Sequence, residues 1–235
     1  GQMASTLDGQ PLVDLRAEIG GRDVRTIAFN LRAAPDPLLP ETVRPLIAGG
    51  IDPEGTLGIK PGGGTIQVTD FSARSAAGTV TASGVLGLSE PGDLAVSITV
   101  ADARAFATLV PDVTWSGATL RARLQGTVNA PHVTAEATAQ NLAAAEFRVG
   151  TSRLNLVAAA EQGFEQPIGI RADLTLSGVA SEDPRLETLL TDGIRLNVAG
   201  SLDQAGTLVA DRIDLQARGL ALGGSARAEN WGAKA

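Results

Sequence analysis

Ile168-Gly169-Ile170-Arg171-Ala172-Asp173-Leu174-Thr175-Leu176 is the stretch that decides the fold. Aliphatic residues stand at the even positions, and Arg171, Asp173 and Thr175 stand between them. In an extended chain successive side chains point to opposite faces, so this run has one oily face and one wet face. A strand with that pattern belongs to a sheet solvated on one side, which is typically antiparallel. Buried parallel strands read as unbroken apolar runs.

The same alternation recurs in both directions from this run. Upstream it appears in Val13, Leu15, Ala17 and Ile19, in Ile27, Phe29 and Leu31, and in Ile66 and Val68. It continues in Leu94, Val96, Ile98 and Val100, in Leu120, Ala122 and Leu124, and in Leu154 and Leu156. Downstream it returns in Ile194, Leu196 and Val198. Gly20-Gly21, Gly62-Gly63-Gly64, Pro91-Gly92-Asp93, Gly163 and Gly223-Gly224 read as turn signals between the strands. Roughly 14 short strands are expected, which side by side make a sheet about 65 Å across. One stretch slips phase: Ile66 and Val68 are even but Phe71 and Ala73 are odd, with Thr69 and Asp70 between them. A bulge or bend there restores the apolar face.

Composition supports an all-β chain with a sizeable apolar interior. Of 235 residues, 43% are hydrophobic and 3% aromatic, so the interior is aliphatic, and 28 Gly and 12 Pro punctuate the chain. Three short helices are expected as connectors. One starts at Asp183-Pro184 and carries Leu186, Leu189 and Leu190. Another starts at Asp102 and carries Phe106, Leu109 and Val110. The third lies around Pro40 to Ile47, weakened by Pro45.

A repeat is also legible. Gly64-Thr65-Ile66 and Gly206-Thr207-Leu208 are 142 residues apart (206 − 64), and at that offset Phe71 matches Ile213 and Ala73 matches Leu215. The unit reads helix, strand, turn, strand, turn, strand, which suggests one sheet grown by repetition.

The search for chemistry is mostly negative. The formal net charge of −7 and the scattered arginines give no basic footprint for a nucleic acid. There is no cysteine and one histidine, His132, read as a surface or turn residue. No nucleophile elbow is present. Gly62-Gly63-Gly64 lacks the residues of a phosphate loop and reads as a hairpin. Glu182 and Asp183 sit where a helix start favours negative charge. Carboxylate pairs with sugar-stacking aromatics are missing, and Trp115 and Trp231 read as packing residues. No enzyme activity, cofactor or metal is expected.

Two stretches carry a resemblance. They are Leu120-Arg121-Ala122-Arg123-Leu124-Gln125-Gly126-Thr127-Val128-Asn129-Ala130-Pro131-His132-Val133-Thr134-Ala135-Glu136, and Asn141-Leu142 followed by Phe147 to Leu156. Together with Gly64 to Gly84 and Gly206 to Ala226, this pattern resembles the strand–Gly–Pro–strand repeat of the TamB family, the translocation and assembly module proteins of the AsmA-like group. The resemblance covers about Leu12 to Glu229, and no catalytic motif anchors it.

That resemblance implies an elongated curled sheet, a taco or gutter with a hydrophobic concave face. It implies a periplasmic location in a full-length protein anchored to the inner membrane. The implied partners are phospholipid acyl chains and, through the full-length protein, a BamA-like outer-membrane barrel. The implied work is phospholipid movement between membranes and support of outer-membrane protein assembly. The residues expected to line the groove are Ile66, Val68, Leu94, Val96, Ile98, Val100, Leu120, Leu124, Leu154, Leu156, Ile168, Ile170, Leu174, Leu176, Ile194, Leu196 and Val198. The competing expectation is a structural or adhesive β-solenoid with a closed core. The opening Gly1-Gln2-Met3-Ala4-Ser5 has no charged apolar leader and no run of about 18 apolar residues follows. The expectation is therefore a segment of a larger protein: residues 1–10 a disordered start left by cloning, and 11–235 one repetitive sheet.

Overall fold

A computed structural model describes residues 2–7, 10–21, 24–33, 44–47, 50–100, 103–107, 111–160, 163–183, 186, 187, 190 and 192–229, with side chains from residue 16 onward. Among the described residues fifteen strands form a single sheet. In chain order they are β1 (Gln2–Leu7), β2 (Gln10–Gly20), β3 (Arg25–Ala33), β4 (Asp52–Ile59), β5 (Thr65–Ser75), β6 (Gly78–Gly87), β7 (Gly92–Val100), β8 (Val113–Thr114), β9 (Gly117–Thr127), β10 (Ala130–Ala144), β11 (Phe147–Ala159), β12 (Ile168–Ser181), β13 (Ile194–Leu202), β14 (Leu208–Ala217) and β15 (Leu220–Ala228).

Each strand pairs with its sequence neighbours, except that β7 pairs with β9 while the two-residue β8 sits on the end of β10. Every pair is antiparallel, and the sheet is open, with β1 and β15 as its outer strands. The expected all-β antiparallel sheet is the observed one. Solenoid coils of the parallel β-helix type would instead stack strands in parallel.

Strands β10, β11 and β12 span 15, 13 and 14 residues, longer than the expectation of short strands allowed. Gln2–Leu7, within the stretch 1–10 set apart in the sequence, form β1, whose backbone pairs Met3 with Leu15 and Ser5 with Val13. Gly223 and Gly224, read as a turn, lie inside β15 opposite Asp214 and Ile213. The turn falls at Arg218-Gly219 instead, where Gly219 takes φ +68°.

Among the described residues the connectors show short helical pieces. Arg44–Ile47 and Ala103–Phe106 are single 3-10 turns. Leu186, Glu187 and Leu190 have helical backbone, and the Glu187 N–H donates to the Asp183 carbonyl at 3.0 Å. Pro40, Asp102, Leu109, Val110, Pro184 and Leu189, named in those expectations, lie outside the described residues. The pairing of Ala33 with Ile51, Val100 with Ala118, and Leu176 with Ile194 sets all three connectors at one end of the sheet.

No second layer covers the sheet among the described residues. The chain exposes 14978 Å², against roughly 9,900 Å² for a compact monomer of its 23.9 kDa mass. No large described side chain is fully buried. Among the described residues the buried side chains are small or medium: Ala33, Ala73, Ala103, Val149, Ala160, Val179, Ala210 and Thr207.

Candidate functional site: the apolar face

Residues directly opposite each other in an antiparallel pair share a face, with Cβ atoms about 5 Å apart. Following partners from strand to strand therefore draws the face. One row runs Ala73, Val80, Ile98, Leu120, Ala137, Leu154, Leu174, Leu196, Leu215, Leu222. A second runs Val96, Ala122, Ala135, Leu156, Ala172, Val198, Ile213. A third runs Leu57, Val68, Gly84, Leu94, Leu124, Val133, Ala158, Ile170. A fourth runs Val100, Ala118, Ala139, Ser152, Leu176, Ile194.

The register brings all seventeen sequence-named residues onto this one face. Ile66 joins beside Ile59 and Leu86, and Ile168 joins opposite Leu202. Three steps of two residues span about 20 Å, and the strands span about 65 Å, so the face is on the order of 1,000 Å². Most monomers carry no apolar patch beyond about 600 Å². In β12 the pleat is explicit: Ile168, Ile170, Ala172, Leu174 and Leu176 are half-buried, while Arg171, Asp173 and Thr175 are exposed.

The phase slip in β5 is resolved as expected. Val68 pairs with Gly84 and Phe71 with Ala82, so Thr69 and Asp70 share one opposing residue, and Asp70 adopts φ 52°. That bulge returns Phe71 and Ala73 to the apolar face. Across the neighbouring β4, Gly55 leaves room there: an added Cβ would lie 2.9 Å from the Phe71 Cα. The Phe29 and Phe71 rings approach to 6.4 Å.

A feature the sequence reading missed crosses the upper part of the sheet. Asn141 (φ 50°), Gly150 and Gly178 (φ 63°) align on three adjacent strands. Gly150 and Gly178 face each other so closely that a Cβ on Gly178 would lie 3.4 Å from the Gly150 backbone. Beyond this line the burial phase reverses. Odd residues 151–157 of β11 and 169–177 of β12 are exposed below it, yet Val149 and Val179 are 5% and 7% exposed. At the same end Phe106 packs on Trp115, with ring centroids 5.7 Å apart. Asn141 donates to Ser116 Oγ at 2.9 Å. The described parts of the connectors lie at that end. Trp231 lies outside the described residues.

At the opposite end the apolar face holds a depression of about 330 Å³ lined by Leu124, Val128, Pro131, Val133, Ala158, Ala160, Phe164 and Ile168. Phe164 is 48% exposed and Ala160 2%. Val128 and Phe164 stand in turns, where no pleat periodicity marks them, and the sequence reading did not place them on the face.

The other face is polar and paired. Arg123 Nε donates to Asp93 Oδ1 at 2.6 Å and Nη2 closes the fork on Oδ2. That hydrogen bond, ahead of charge attraction, holds the exposed Asp93 carboxyl below its usual range. Arg153 meets Glu136 at 3.2 Å, and Thr119 and Thr138 share a hydrogen bond at 2.8 Å. A depression of about 490 Å³ lies on this face among Ser72, Thr81, Ser97 and Arg121. It contains no His or Cys beside a carboxylate. His132 is exposed on β10, opposite Gln125 and Ala159, and no cluster of metal-ligating side chains occurs among the described residues. No helix among them is long and apolar enough to cross a membrane. No family model, curated protein or solved structure matches the chain.

Proposed function

We propose that this sheet is a periplasmic segment of a TamB/AsmA-like protein and that its apolar face carries phospholipid acyl chains between the inner and outer membranes. The observation that carries this reading is the aliphatic face, continuous from β4 to β15 and uncovered among the described residues. An oily sheet face must be covered by something. Acyl chains suit it because aliphatic contacts are non-directional and worth about 0.8 kcal/mol per buried CH₂, so a chain is held without a fixed seat. Antiparallel pairing and the missing second layer favour this over a closed solenoid. The family assignment rests on the repeat pattern. With it come an inner-membrane anchor elsewhere in the full-length protein, a BamA-like barrel as partner, and support of outer-membrane protein assembly.

Native mass spectrometry with lipid extraction tests the proposal. Wild-type protein should carry phospholipid. Ile170→Asp sets a carboxylate between Ala158 and Gly200 on the apolar face and should abolish retention while the far-UV β signal persists. Arg171→Asp, on the wet face, should change neither. Lipid-free wild-type protein, or full retention by folded Ile170→Asp, overturns the reading.

A further inference from the structure

The wet face carries a feature that the lipid reading does not use. Ser72, Thr81, Ser97 and Arg121 are direct partners across β5, β6, β7 and β9, and Ser83 lies opposite Ala95 one row away. Serine, threonine and alanine are short, and the depression of about 490 Å³ lies over them. That volume falls within the roughly 300–1,000 Å³ of small-molecule sites. The two ends carry opposite charge. Arg121 stands at one end. Glu136, directly across from it on β10, is taken by Arg153 at 3.2 Å, and Arg121 has no ion pair among the described residues. Asp70 stands at the other end, also without an ion pair among them. Between these ends Ser72 donates to Glu54 Oε1 at 3.1 Å. The Thr81, Ser83 and Ser97 hydroxyls take no hydrogen bond among the described residues.

The backbone that sets Asp70 there is not one the bulge itself requires. The same bulge recurs at the 142-residue offset, where Val68–Gly84 becomes Ala210–Ala226 and Phe71–Ala82 becomes Ile213–Gly224. Asp211 and Arg212 fill that second bulge with no positive φ, whereas Asp70 holds φ 52°. Non-glycine residues held in the left-handed region cluster at functional sites. From the depression, its two charged ends and this backbone we infer a binding site for a short extended peptide with free termini. Three strand spacings separate β5 from β9, about 14 Å in all, which is the length of about four extended residues. The peptide carboxylate pairs with Arg121, whose guanidinium presents a planar fork of donors. The peptide ammonium pairs with the Asp70 carboxylate, and the hydroxyls between them bond its main-chain groups.

The site lies on the face opposite the proposed acyl chains, so the two proposals can fail independently. Tetraalanine with free termini, titrated into the isotope-labelled chain, should shift the NMR amide signals around Thr81, Ser97 and Arg121. Exposed ion pairs contribute little each, so acetylating the peptide amine or amidating its carboxylate should each weaken binding about fivefold. Arg121→Gln should weaken the free peptide about fivefold and leave the amidated one unchanged. Asp70→Asn keeps a residue that tolerates a left-handed backbone. It should weaken the free peptide by the same factor and leave the acetylated one unchanged. These crossed losses tie each peptide end to one residue, which a merely structural effect of either variant would not do. Absence of shifts with tetraalanine, or equal binding by all three peptides, overturns the proposal. So does an Arg121→Gln loss that falls equally on the amidated peptide, or tighter binding of maltose, an uncharged disaccharide.

Discussion

Between β7 and β13 every strand pair keeps one register from end to end. In β4–β6 and again in β13–β15 the register slips by one residue partway along. Both regions present the same aliphatic face, by different means. In the middle, strict alternation leaves the pleat nothing to correct. In the flanks the apolar residues switch from even to odd, and one extra residue in β5 or β14 absorbs the switch. A bulge also sharpens the local right-handed twist of the strand that carries it. The extra residue is thus a geometric device that leaves the face intact.

Single-residue deletions break this comparison most directly. Deleting Asp173 from the regular β12 would put Ile168, Ile170 and Ala172 on the face opposite Leu174 and Leu176. At about 1 kcal/mol or more for each half-buried aliphatic displaced, the loss should reach roughly 3 kcal/mol. Urea unfolding monitored by circular dichroism should show a much lower midpoint or no folded baseline.

Deleting Asp70 should behave oppositely. Without it, Val68 still faces Gly84 and Phe71 still faces Ala82, now in one uninterrupted register. A residue held at φ 52° is removed too. The unfolding free energy should move by no more than about 1 kcal/mol. A collapse comparable to that of the Asp173 deletion would show that the bulge is required for folding itself.

The smallest expected effect lies in the middle region's polar face. The folded-state pKa of Asp93 is depressed by its Arg123 hydrogen bond. The pair's contribution is therefore present above the unfolded carboxylate pKa, about 3.9, and is lost as pH falls through the lower folded value. Arg123→Ala should return Asp93 to the ordinary carboxylate range in an NMR titration and leave the register of β7 and β9 unchanged. An unshifted Asp93 in the variant would sever that link.

The sequence by itself determined which side chains share a face, because the pleat is local: two residues per repeat, whatever the neighbours are. All seventeen named face residues follow from that, as does the bulge at Thr69-Asp70, since a phase change inside one strand is visible without its partners. The tertiary structure alone decided what depends on register across strands. Asn141, Gly150 and Gly178 are unremarkable one at a time and become a line across three strands only when pairing aligns them. Gly223-Gly224 reads as a turn until Ile213 and Asp214 lie opposite. Val128 and Phe164 form one depression because β9–β10 and β11–β12 turn at the same end. Whether an oily face is covered depends on which distant segments reach it, a long-range question that alternation along one strand does not encode.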